Sequence, residues 1–112
     1  MDVVFHCSSA DTTAQDHALS NARNLLADDT VDTEAVAFVA NGEAVRAFLE
    51  GSHVAGTVRD LVDEVRFVVC SNSLAGRDID ADRLLDGVET GSSGMGTLAE
   101  LQAEGHHYVK VP

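Results

Sequence analysis

Long apolar runs, proline, lysine and cysteine are all scarce in this sequence, and each scarcity rules something out. No stretch approaches the roughly 18 apolar residues that a membrane span needs, and no basic segment near Met1 leads into an apolar one as a secretory signal does. A cytoplasmic chain with no membrane partner is the expectation. The one proline is Pro112, the last residue, so no imino ring interrupts an element. The two cysteines, Cys7 and Cys70, do not suggest a disulfide framework, because without a signal the thiols are expected to stay reduced. Lysine occurs once, as Lys110, beside six arginines.

Acid is what the chain has in excess. Its 19 Asp and Glu against 7 Lys and Arg leave a formal net charge of -12, which repels a phosphate backbone and argues against nucleic acid as a partner. Asp outnumbers Glu by 12 to 7. An acidic, lysine-poor surface of this kind is similar to that of proteins from salt-loving organisms, where self-repulsion is screened within about 3 Å at 1 M salt. Loss of stability in dilute buffer is the expectation; the blander alternative is an acidic bacterial protein. With 112 residues the chain fits one domain, 1–112, large enough to bury a core without metals or disulfides.

The pattern along the chain alternates strands with helices. Residues 2–7 form a short apolar run that ends at Cys7 in small polar residues, as a strand leaving a sheet does. From Thr12 to Ala27 the positions Ala14, Ala18, Ala22, Leu25 and Leu26 recur at helical spacing, with Asp11 or Thr12 as N-cap. A second strand is predicted over 34–41, a turn and short helix over 41–51 stopped by Gly51, and a helix over 57–64. Residues 66–70 read as a third strand, 79–85 as at most a short helix, and 87–91 as a weak fourth strand. A Gly-rich turn then leads into a helix that Gly105 stops, and 107–111 closes the chain as a fifth strand. Alternation of this kind predicts a parallel sheet with helices on both faces, since each parallel crossover needs a helix-length segment. The expected architecture is α/β, a flavodoxin-like three-layer sandwich with a five-stranded parallel sheet in the order 2-1-3-4-5.

Ligands of such sheets bind beyond the carboxyl ends of the strands, near the point where strand order reverses. In the order 2-1-3-4-5 the first and third strands are neighbours, which would put the loops of Cys7 and Cys70 side by side. Two readings of Cys70 stay open at this point. Unpaired cysteine is often plain core packing. Yet Ser71, Asn72 and Ser73 follow at once, and free amides at a helical turn favour a thiolate. The segment 92–96, with Ser93 and Gly94, lacks the phosphate-loop lysine and reads as an ordinary strand-to-helix turn, as does the Asn41–Gly42 turn. Either could still line the same cleft. His106 and His107 are adjacent, point to opposite faces and match no common metal spacing, so no metal site is expected.

Four stretches, VVFHCSS near the start, FVANGEAV after the second strand, VRFVVCSNSLAG around Cys70 and VETGSSGMGTLAELQAEGHHYVKV at the end, resemble the DsrE/DsrF-like family in order and spacing along nearly the whole chain. The resemblance implies a flavodoxin-like fold and a trimer or hexamer of identical chains. It also implies sulfur relay through a persulfide on the cysteine after the third strand, which is Cys70 here. A sulfur donor or acceptor protein would be the partner, and no cofactor is required. Cys70 is then the reacting residue, with His6, Cys7, Ser8, Asn41, Gly42, Ser71, Asn72, Ser93 and Gly94 as binding or supporting residues. Cys7 stands where the family has a small apolar residue, and a reversible Cys7–Cys70 disulfide is open if the two Cα atoms lie within about 7 Å. The alternative function is a non-catalytic oligomeric module holding a small anionic or nucleotide-like ligand at the strand ends.

Overall fold

A computed structural model describes residues 1–112. Five strands, β1 (Asp2–Cys7), β2 (Val36–Ala40), β3 (Val65–Cys70), β4 (Glu89–Gly91) and β5 (His106–Lys110), form one all-parallel sheet. Four α-helices connect them, α1 (Thr12–Ala27), α2 (Ala55–Leu61), α3 (Ser71–Ala75) and α4 (Gly94–Ala103), and no helix is long and apolar enough to cross a membrane. The predicted first helix has its predicted bounds: Asp11 accepts from Thr13 N–H as N-cap, and Gln15, Ala18, Leu19 and Ala22 face inward. Over 42–48 the chain winds as a tighter 3-10 helix instead of an α-helix. With three residues per turn, Ala44 stacks on Ala47 and Val45 on Phe48, and all four are buried.

The sheet runs β4-β3-β2-β1-β5, which corrects the expected order 2-1-3-4-5. From β1 to β4 the chain steps one way across the sheet, and residues of α1, the 3-10 helix, α2 and α3 join a single core on one face. Only α4 crosses on the other face, where Leu98 and Leu101 pack on Val4, Ala37, Val39 and Val68. Crossovers are right-handed, so a return in the opposite direction requires a helix on the opposite face, and α4 brings β5 back beside β1. Residue patterns reveal that strands exist but not which neighbour each one takes.

The two faces differ in thickness. On the first, a cluster of 26 buried residues includes all four phenylalanines, with Phe38 at 5.6 Å from both Phe48 and Phe67 and 6.3 Å from Phe5. The second holds six buried apolar residues under one helix.

Candidate functional site

Side-chain alternation assigns each strand residue to a face. Val3, Phe5 and Cys7 on β1 point into the phenylalanine core, whereas Val4 and His6 point toward α4. On β3 the core side takes Val65, Phe67 and Val69, so Cys70 lies on the side of Val68 and α4. The two cysteines therefore face opposite sides of the sheet, with β2 between their strands. Two strand spacings separate their Cα atoms by at least about 9 Å, beyond the roughly 7 Å that a disulfide spans. The side-by-side loops and the Cys7–Cys70 pairing both fail for this reason.

The observed order nevertheless keeps Cys70 at a reversal. After β3 the chain turns into α3, whose Leu74 joins the phenylalanine face; after β4 it turns into α4 on the other face. Adjacent strands whose following helices diverge open a crevice between them at their carboxyl ends. Cys70 pairs with Gly91 at that crevice. Gly94, opening α4, is close enough that an added Cβ would meet Asn41 Cβ at 3.1 Å and Cys70 Cβ at 3.4 Å. Glycine there lets the helix start directly over the thiol.

The Cys70 sulfur accepts one hydrogen bond and has other donor groups close by. Cys70 caps α3, its sulfur accepting from Ser73 N–H at 3.4 Å. Burial pushes the thiol up, but the Ser73 hydroxyl and the backbone amides of Ser73, Gly94 and Asn72 together outweigh it and hold the thiol below its ordinary value. Gly42 N–H in turn donates to Ser73 Oγ at 2.8 Å, fixing that hydroxyl. At Gly42 φ is +61°, a conformation that favours glycine. Cys7 is the reverse case. Its thiol donates to Pro112 O at 2.7 Å, and burial pushes it up against the smaller opposing influences of the Ser9 amide and Lys110.

A second polar group adjoins the crevice. His6 Nε2–H donates to Asn41 Oδ1 at 2.7 Å, and His6 Nδ1 accepts from Tyr108 O–H at 2.6 Å, because an amide oxygen can only accept. Burial lowers the His6 pKa, the Asn41 bond opposes that, and Lys110 lowers it further, so the ring is neutral. Lys110 Nζ donates to Ser8 Oγ at 2.9 Å on the rim. Ser93 caps α4 by accepting from Gly96 N–H at 2.9 Å.

Of the sequence candidates, Asn41, Asn72 and Gly94 thus meet at Cys70, with Gly42 behind Ser73 and His6 behind Asn41. Ser71 opens α3, while Ser8 and Ser93 stand on the flanking loops. Cys7 is on the other face. Ser73, read from the sequence only as part of the capping turn after Cys70, and Tyr108 were not among the candidate site residues. Ser73 lies three residues after Cys70, the spacing of an N-cap and its partner. Tyr108 becomes visible only once β5 is known to pair with β1.

The largest surface groove, about 470 Å³, lies next to the crevice and not on the thiol. It runs between β3, β4 and α4 over Arg66, Val68, Thr90, Gly91 and Thr97. The donor geometry at Cys70 is the better guide to chemistry, because the groove presents no thiol and no base paired to its Thr90, Ser92 or Thr97 hydroxyls that would activate them.

An α/β protein with a hydrogen-bonded thiol at its strand-end crevice is the class that fold and site define. The chain belongs to the DsrE/DsrF-like family, whose sequence pattern matches residues 1–111, a family linked to sulfur relay. It is similar to the structure of a protein of unknown function, MTH1491, from Methanobacterium thermoautotrophicum, with 36% identity, a TM-score of 0.90 and 97% of each chain covered. The YchN protein of E. coli shares the fold at 20% identity, with a TM-score of 0.83 and 98% of each chain covered. Among curated proteins none matches.

Proposed function

We propose that the protein is an intracellular sulfur carrier that holds a persulfide on Cys70. The observation that carries this reading is a thiol at the crevice between β3 and β4 that accepts from the Ser73 amide at the first turn of α3, with the Ser73 hydroxyl and the Asn72 and Gly94 amides near enough to help hold it below its ordinary value. In the step it implies, the Cys70 thiolate attacks the outer sulfur of a donor R–S–SH. A Cys70–sulfur bond forms, the donor's S–S bond breaks, and R–S⁻ leaves. The transferred sulfur arrives with its proton and then loses it to water, which leaves the persulfide anion; no external oxidant is consumed, and an acceptor thiolate takes the outer sulfur by the same kind of exchange.

Cys70 is 6% exposed, which suits a slim persulfide tail reaching in from a donor better than a broad protein surface. The same low exposure favours the second reading, a non-catalytic module that holds a small ligand at the strand ends. Assembly of identical chains as a trimer or hexamer fits the bare edges, since β4 has only three residues and Tyr108 and Val109 on β5 are 43% and 41% exposed. Intact-mass measurement after incubation with glutathione persulfide separates the readings. A carrier gains one sulfur, loses it on reduction, and gains none as Cys70→Ser. Failure of the wild-type protein to gain sulfur would leave the binding module.

A further inference from the structure

Asn41 is held from one side only. Its Oδ1 is taken by His6 Nε2–H, and the far side of that imidazole is taken by Tyr108 O–H, so three side chains from β5, β1 and the end of β2 lock the plane of one carboxamide. The Nδ2 of Asn41 has no partner in the protein, and no buried side-chain polar atom is left unsatisfied, so this nitrogen opens onto accessible space. β2 lies between β1 and β3, so the edge of the Asn41 amide that His6 does not hold is the one left free for the side of β3 and Cys70. The position an added Gly94 Cβ would take is 3.8 Å from Asn41 Cγ and 3.4 Å from Cys70 Cβ, so amide and thiol border the same small space.

We propose that Tyr108 and His6 are positioning residues that aim the Asn41 amide nitrogen at anionic sulfur on Cys70. This rests on the carrier reading and adds what that reading lacks. The Ser73 amide, with those of Asn72 and Gly94 close by, serves the sulfur attached to Cβ. In a persulfide the charge moves to a second sulfur about 2 Å farther out, beyond those amides, and a separate donor is needed there. Asn41 is the free donor at that rim.

The test uses the full chain carrying Cys7→Ser, so that one thiol reports. Iodoacetamide labelling across pH reads the Cys70 thiolate, and the half-life of the persulfide formed from glutathione persulfide reads the outer sulfur. Asn41→Ala should raise the thiol pKa and shorten the persulfide half-life about tenfold, the scale of a hydrogen bond to a charged group. Tyr108→Phe, which removes one hydroxyl from a half-exposed ring, should move both readouts the same way by about two- to threefold. Because the residues act in series, the double variant should be no worse than Asn41→Ala alone. Should Asn41→Ala fold poorly, Asn41→Val suits the extended backbone there, adds no charge, lacks the donor, and must show the same losses. Unchanged readouts in the Asn41 variants, or additive losses in the double variant, overturn the proposal. If the wild-type protein takes up no sulfur, the carrier reading falls and the thiol profile decides the relay: a raised pKa in Asn41→Ala upholds it and an unmoved one sinks it.

Discussion

Cys7 and Cys70 each end a strand of the same sheet, each is almost fully buried, and they behave as different functional groups. One residue of phase along the strand sends Cys7 into the phenylalanine face and Cys70 onto the face of α4. There the contrast is in which partner donates. Cys7 donates a hydrogen bond from its thiol to Pro112 O, an arrangement that keeps the proton on sulfur, whereas Cys70 accepts from the Ser73 amide, an arrangement that favours the thiolate. Burial fraction alone would have ranked them together. Hydrogen-bond direction separates them.

The widest separation should be in labelling of the native protein. Iodoacetamide at neutral pH should modify Cys70 while leaving Cys7 untouched until the fold opens. An opening that costs even about 3 kcal/mol suppresses reaction about a hundredfold, so the ratio of rates should be at least of that order. Peptide mapping after timed labelling measures it. Comparable rates at the two sites would collapse the comparison.

The two faces should also differ in what a deletion costs. Phe38 touches three other phenylalanines and is 1% exposed, so Phe38→Ala should destabilise by about 3–5 kcal/mol. Leu98, 5% exposed in the six-residue cluster under a single helix, should cost nearer 2 kcal/mol as Leu98→Ala, because a thin layer can collapse into the space. Urea unfolding gives both numbers. Equal losses would mean that α4 packs as firmly as the opposite layer, and that the face carrying Cys70 is as rigid as the core.

How much of this was legible beforehand follows from what periodicity encodes. Alternation of strand and helix, and the run VAFVA buried on every residue, mark a parallel sheet covered on both sides. The N-cap at Asp11 and the strand end at Cys70 are local signals and were readable. Strand order was not, because the pairing of β5 with β1 is a contact between opposite ends of the chain with no local signature. That error carried into the site. Placing β3 beside β1 put Cys7 next to Cys70, and the true order puts Asn41 between them and Gly94 above. The Tyr108–His6–Asn41 chain was out of reach for the same reason, as its members come from β5, β1 and the end of β2.

The smallest expected effect is the most direct test of the contrast, because its sign differs at the two cysteines. Both thiols start from an unfolded value near 9.0. Cys70 is depressed in the fold, so the native state sheds its proton first as pH rises. Its contribution to stability is present above the unfolded value and is lost as pH falls through the native one. Cys7 is raised, so between 9.0 and its native value the unfolded state is the one that ionises. Its contribution is present below the unfolded value and is lost as pH rises through the native one. Cys70→Ser should therefore flatten a gain in stability on the neutral side of 9.0, and Cys7→Ser should flatten a loss on the alkaline side. Urea midpoints of the two variants against the parent, taken every half unit from pH 6 to pH 10, resolve the two slopes. Slopes of the same sign would mean that both sulfurs hold the same protonation state in the fold, and the division of labour between the faces would have to be abandoned.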